Sequence, residues 1–200
     1  ASLDDIVFGG WDPISANALE AARTCGVLEE KDLAPISAEM EGIVAMDAVF
    51  DQKWVSRLDG TRVKPQTGKW DQAEALMADI ENFRTENGCD RLVMVWCGST
   101  EAFQEPSEVH ATVEAFEAGL KANDENISPS QIYVYAALQS GVPFANGAPN
   151  LSTDLPCMIE LSARNGVPIA GKDFKTGQTL MKTLLAPGLK ARMLGLRGWY

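Results

Sequence analysis

Apolar residues recur at helical spacing over residues 69–87, where Trp70, Ala73, Leu76, Met77, Ile80 and Phe83 fall on one face and Asn87-Gly88 supplies a stop. The next apolar segment has a different period. RLVMVW, residues 91–96, is a near-continuous apolar run, the pattern of a strand buried on both faces of a parallel sheet, and the small polar turn CGST follows it. Val109, Val113, Phe116 and Leu120 then mark a helix. Ser128-Pro129 opens another that Gly141 closes. Its IYVYAAL run has the composition of a strand, but the Ser-Pro start and the glycine stop favour helix. VPFANG reads as a short strand, a helix capped by Thr153 or Asp154 runs through Arg164 to Asn165-Gly166, VPIAG is another strand, and residues 176–186 are helical.

The first third is less regular. DIVFG, residues 5–9, predicts a strand, and Asp12-Pro13 predicts a cap and first helical residue ahead of Ile14, Ala18, Leu19 and Ala22, with Gly26 as the stop. Leu28 to Met46 hold one or two short helices, and LDGTRVKPQTG is a loop or irregular hairpin. Strands alternating with helices predict an α/β protein: a Rossmann-like, mainly parallel sheet with flanking helices.

Composition narrows the function. At 46% apolar and 22% charged residues, the chain reads as a soluble globular protein able to build a core. No apolar run approaches the ~18–20 residues of a membrane span, and ASLDDIVFGG lacks a signal-peptide layout. A net charge of -11 argues against nucleic acid or anionic membranes as partners, while leaving room for a small anionic ligand in a local cationic pocket. The cysteines at 25, 89, 97 and 157 form no C-x-x-C pair, and the single His110 gives no partner for a zinc site; no metal is expected. The thiols read as reduced, buried residues of a cytoplasmic protein. The missing initiator Met and the apolar RGWY ending read as an internal piece of a longer protein.

In open α/β sheets, ligands bind beyond the carboxyl ends of the strands. Four such ends carry small polar turns: GGWD (9–12), CGSTE (97–101), NGAPN (146–150) and GKDFKTGQT (171–179). Any one of them alone is explained as a structural turn. Asp12 alone is explained as a helix cap, and Lys182 alone as a solvated helix lysine. Convergence of all four on one rim would be a ligand site. No G-x-G-x-x-G is present, and GKDFKTGQT is not a phosphate loop, because its second glycine is one residue late and Gln178 replaces the lysine.

FGGWD, GKWDQAEALMADIENFRTEN, VMVWCGSTE, SGVPFANGAPN and IAGKDFKTGQTLMK occur in the order seen in myo-inositol-1-phosphate synthases, which the chain resembles over nearly its whole length; residues 27–67 match least. The G-x-D-F-K-T-G-Q-T block is the most specific. The resemblance implies an NAD-dependent isomerase of inositol, and hence phospholipid, biosynthesis. It would convert D-glucose 6-phosphate to 1-myo-inositol phosphate by oxidation, enolisation, aldol closure and reduction, as a homotetramer. Residues 1–150 would be part of the NAD-binding domain without its first strands. Residues 151–200 would hold its last elements and the start of a catalytic and oligomerisation domain.

By position, the resemblance assigns Asp12 to the adenosine ribose and Arg62 to the cofactor. It places Cys97, Gly98, Ser99 and Thr100 along the cofactor, and has Gly147 and Ala148 allow its close approach. Asp173 and Thr176 go to its nicotinamide side. Lys175 and Lys182 would be catalytic, and with Lys172 would set a positive field for a phosphorylated sugar. The family's glycine-rich loop and main catalytic lysines have no counterpart in these residues, and Lys172 stands where many members have Asp. The alternatives are a non-catalytic, redox-sensing dinucleotide module and another NAD-dependent dehydrogenase on the same fold.

Overall fold

The computed structural model of the chain describes residue 2, residues 5–174 and residues 177–197. In chain order its elements are β1 (Trp11–Asp12), α1 (Ala18–Cys25), α2 (Glu30–Leu33), α3 (Ser37–Glu41), β2 (Met46–Asp47), α4 (Lys69–Glu86), β3 (Met94–Trp96), α5 (Val113–Ala122), α6 (Pro129–Gln139), β4 (Phe144–Asn146), α7 (Pro156–Asn165), β5 (Ile169–Gly171) and α8 (Gly177–Ala191). β1 pairs with β2, and β3, β4 and β5 pair in that order. Every pairing is parallel, which requires a crossover between partners and places the helices between the strands. The expected Rossmann-like α/β architecture is present.

The helices follow from their caps and apolar faces. α4 buries Ala73, Leu76 and Ile80, the stripe that its period predicts. α5 is capped by the Thr112 hydroxyl, which accepts from Ala115 N, and buries Val113, Phe116 and Leu120. α6 has no polar face, because it is buried from Pro129 to Leu138 and packs against α4 and α7. A helix covered on all sides shows no period, so its β-branched and aromatic run mimics a strand. Its Ser128–Gln131 capping box settles the choice. Its ring residues bind the parts together. Tyr133 lies 5.3 Å from the Trp11 ring and 5.2 Å from that of Trp96, and its hydroxyl accepts from Val49 N at 2.9 Å.

Four local expectations change. The strand expected at 5–9 is absent; Ile6, Val7 and Phe8 are exposed and irregular, and the strand is Trp11–Asp12. Asp12 does not cap a helix. Its Oδ1 accepts from Ile14 N in a local turn, and α1 begins later, on an Asn17–Glu20 capping box. Thr153 and Asp154 do not cap α7, whose first residue is Pro156; Asp154 Oδ1 instead accepts from Ser152 N. α8 runs beyond 186, through Pro187 to Ala191. Among the described residues, no helix is long and apolar enough to cross a membrane.

Leu120 is fully buried on α5, which packs against α4 and α7. Leu120→Ala should therefore lower unfolding free energy by about 2–5 kcal/mol, from lost transfer energy and the cavity left behind. Urea unfolding followed by circular dichroism measures it.

Candidate active-site rim

The register of the larger sheet sets the geometry. Trp96, Asn146 and Gly171 are aligned across β3, β4 and β5, so the three turns that follow leave the sheet level with one another. Gly147 N donates to Trp96 O at 2.9 Å, joining the second turn to the third. Asp173 N donates to Ala148 O at 3.2 Å and Phe174 N to Gly147 O at 3.1 Å, joining the third to the fourth. A Cβ on Gly147 would stand 2.6 Å from Trp96 O and 2.8 Å from the Phe174 ring. The missing side chain of Gly147 is thus already used by the protein's own turns.

The GGWD turn reaches this rim from the smaller sheet. A Cβ on Gly9 would meet the Phe83 ring at 2.5 Å, so a glycine lets the turn lie against α4. Trp11 is pinned there: its Nε1 donates to Asp79 Oδ2 at 2.6 Å, and Lys64 Nζ pairs with the same oxygen at 2.7 Å. The Lys64 side chain is only 9% exposed, so this ion pair is largely shielded from solvent. Asp12, the next residue, remains exposed.

Between β1 and β3 lies a cavity of about 380 Å³, lined by Gly9–Pro13 on one side and residues 92–99 on the other. It brings Asp12, Cys97, Gly98 and Ser99 together. Ile80, Met94 and Tyr133 give it apolar walls, and among its lining residues Trp96 holds an Nε1 donor that is buried without a partner. Thr100 lines an adjacent cavity of about 130 Å³ with Glu101, Pro149 and Asn150. A dinucleotide fits this rim: it offers a carboxylate at a strand end, small residues along the next turn and an unsatisfied donor.

The remaining expected residues are placed differently. Arg62 lines neither cavity; its Nη1 donates to Ala45 O at 2.8 Å and its Nε lies 3.7 Å from Asp47 Oδ1, so β2 holds the guanidinium. Its backbone N nevertheless donates to Pro13 O, beside Asp12. Ala148 is buried, and its N donates to Asn146 Oδ1. Asp173 is exposed at a positive φ of 61°. Lys172 is paired with Asp154 at 2.7 Å, which offsets its charge. Lys182 is exposed on α8 and lines neither cavity, while Lys175 and Thr176 lie outside the described residues.

The cysteines also differ from expectation. Only Cys157 is buried, its thiol pushed up to about 12 by desolvation, whereas Cys25 and Cys97 are exposed and Cys89 is intermediate. Cys97 is exposed because it belongs to the turn at the rim, not to the strand. Among the described residues no three His, Cys, Asp or Glu side chains group as metal ligands. His110 is buried, accepting from Ser107 N through Nδ1 and facing Gln131 Oε1 through Nε2.

Sequence reasoning missed three residues that organise the rim. Asp79 holds Trp11. Asn146 is fully buried, and its Nδ2 donates to Asn150 O and Ser152 Oγ. Glu101 is a buried carboxylate at the start of α6. The one signal in the sequence was the position of Asn146 and Glu101 inside the quoted turns.

Over residues 1–193 the chain matches an NAD-binding family model described as "Myo-inositol-1-phosphate synthase". It is 50% identical to inositol-3-phosphate synthase 1 of Bacteroides thetaiotaomicron, over 99% of this chain and 46% of that protein. It is 34% identical to inositol-3-phosphate synthase isozyme 1 of Arabidopsis thaliana, over 91% of this chain and 36% of that protein. Among solved structures it is similar to inositol-3-phosphate synthase of Caenorhabditis elegans, with a TM-score of 0.87 and 27% identity, over 94% of this chain and 38% of that one. The chain spans less than half the length of these relatives.

Asp79→Ala removes one partner of the shielded ion pair and the acceptor of the Trp11 indole. It should cost about 3–5 kcal/mol, because Lys64 is left without compensation. Asp79→Ala with Lys64→Met should recover part of that loss, measured by chemical denaturation of the single and double variants.

Proposed function

The chain belongs to the myo-inositol-1-phosphate synthase family, and from that premise we propose that the protein it represents converts D-glucose 6-phosphate to 1-myo-inositol phosphate with NAD as cofactor. The observation that carries this reading is the level rim itself. Asp12, Cys97, Gly98 and Ser99 line one cavity, and the turns holding Gly147, Ala148 and Asp173 are hydrogen-bonded to its edge.

Bound NAD would supply a hydride acceptor and donor. The chain's own residues bind and orient. The Asp12 carboxylate would accept from ribose hydroxyls. The small residues Cys97, Gly98 and Ser99, with Thr100 behind them, would let the dinucleotide lie close along the second turn. Asp173 and Thr176 would hold its nicotinamide side. Cations are needed wherever the phosphate dianion, an enolate or an alkoxide must be stabilised. Lys175 and Lys182 would serve there as catalytic residues, with Lys172 contributing a charge that Asp154 partly offsets. The C6 proton of the sugar is acidic only beside a ketone, so oxidation must precede enolisation and ring closure. Arg62, directed at Ala45 O, would act by holding the loop at Pro13 instead of touching the cofactor.

In this reading residues 1–150 belong to the NAD-binding domain. Residues 151–200 complete that domain and lead into the catalytic and oligomerisation domain. The protein would work as a cytoplasmic homotetramer, which light scattering of the full-length protein tests.

Release of inositol phosphate from glucose 6-phosphate in the presence of NAD tests the activity. Normal NAD binding with no product would instead favour a non-catalytic dinucleotide module. Asp12→Ala and Asp173→Ala should each weaken NAD binding by about tenfold, the scale of one hydrogen bond to a charged group. Titration calorimetry with unchanged affinity would count against the assignment at that position.

A further inference from the structure

Glu101 is the one carboxylate among the described residues that is buried, with 8% of its surface exposed. Among the described residues no lysine or arginine pairs with it. Its Oε1 accepts from Ser130 N at 2.8 Å and its Oε2 from Ser130 Oγ at 2.6 Å, with Ser128 Oγ a further 3.2 Å from that hydroxyl. The charge therefore rests on the N-terminal turn of α6, where free backbone N–H groups and the helix dipole favour an anion. Burial pushes its acid range upward and the serine hydrogen bonds pull against that shift.

The same residue is tied to the third turn. Glu101 N donates to Asn150 Oδ1 at 3.0 Å, and Asn150 O accepts from Asn146 Nδ2 at 2.9 Å. Asn146 Oδ1 in turn accepts from Ala148 N at 3.0 Å. Glu101 also lines both cavities, standing where they meet. One side chain thus clamps the second turn to the most deeply buried helix, and its own backbone fastens that turn to the third.

We propose that Glu101 is a positioning residue for cofactor binding: its carboxylate, seated on the start of α6, sets the relative placement of turns 97–101 and 146–150. This rests on the reading of that rim as the NAD site. A carboxylate suits the role because it accepts from an N–H and an O–H together without offering a donor of its own. Glutamine keeps the shape but removes the charge from the helix start and must donate to the Ser130 hydroxyl, reversing a bond that the carboxylate accepts. Aspartate is one methylene too short to reach both.

The test measures NAD affinity of the full-length protein by titration calorimetry, well below the thermal midpoint of every variant. Glu101→Gln should weaken NAD binding by about tenfold, and Ser130→Ala by about threefold, as loss of one hydrogen bond implies. Ser130→Thr, which keeps the hydroxyl, should bind within about twofold of the parent. Leu120→Ala, destabilising but outside both turns and the linings of both cavities, should also leave affinity within about twofold. If Glu101→Gln does not fold, Ser130→Ala against Ser130→Thr carries the test. A parent that binds NAD, beside Glu101→Gln and Ser130→Ala variants that bind it equally well, overturns the inference alone. So does a Leu120→Ala variant weakened as much as Glu101→Gln. A parent that does not bind NAD overturns the proposed function and this inference together.

Discussion

The parallel register of β3, β4 and β5 is the constraint on which the rest depends. Parallel strands end on the same side, and alignment of Trp96 with Asn146 and Gly171 brings three turns out at one level. A shift of one residue in any strand would turn its side chains to the other face and carry its turn off the rim. The bonds Gly147 N to Trp96 O and Phe174 N to Gly147 O then lock the turns side by side. This close approach leaves no space for a side chain at 147, so the glycine there serves the protein's own packing first.

Around that sheet, α6 acts as the common wall. It is buried on every side, and its residues reach in several directions: Tyr133 touches the rings of Trp11 and Trp96 and holds Val49 N, while Ser130 receives the Glu101 carboxylate. Among the described residues the smaller sheet has no strand partner in the larger one. Side chains make the connection instead, through Trp11 on Asp79 and Tyr133. Such a join gives the GGWD turn a defined place even though the hydrogen-bonded ladder does not continue to it.

Charge is distributed with the same economy. In an acidic chain, one carboxylate near the rim is buried and another partly so, and each is matched in a different way. Asp79 has a lysine and an indole donor. Glu101 has only serines and a helix start. Asp12 and Asp173 are left exposed. Lys172, which reads as part of a cationic cluster, is turned to Asp154.

The long periodic elements were legible in the sequence. The α4 stripe, the apolar runs of β3 and β4, and the glycine stops after α1 and α7 are local properties: spacing selects a buried face, and a residue with φ near +60° ends a helix at little cost only when it is glycine. The family, and with it the positions of the candidate turns, was legible from ordered motifs. What the sequence could not determine were relations between distant residues. Whether DIVFG becomes a strand depends on a partner for it, and none pairs with it among the described residues. Where Arg62 points depends on Ala45 O and Asp47. Glu101 looked like any surface acid until the fold brought Ser130 and Asn150 to it. Local pattern chooses the elements, because backbone geometry repeats every few residues; only tertiary packing decides which side chains lose water and which meet.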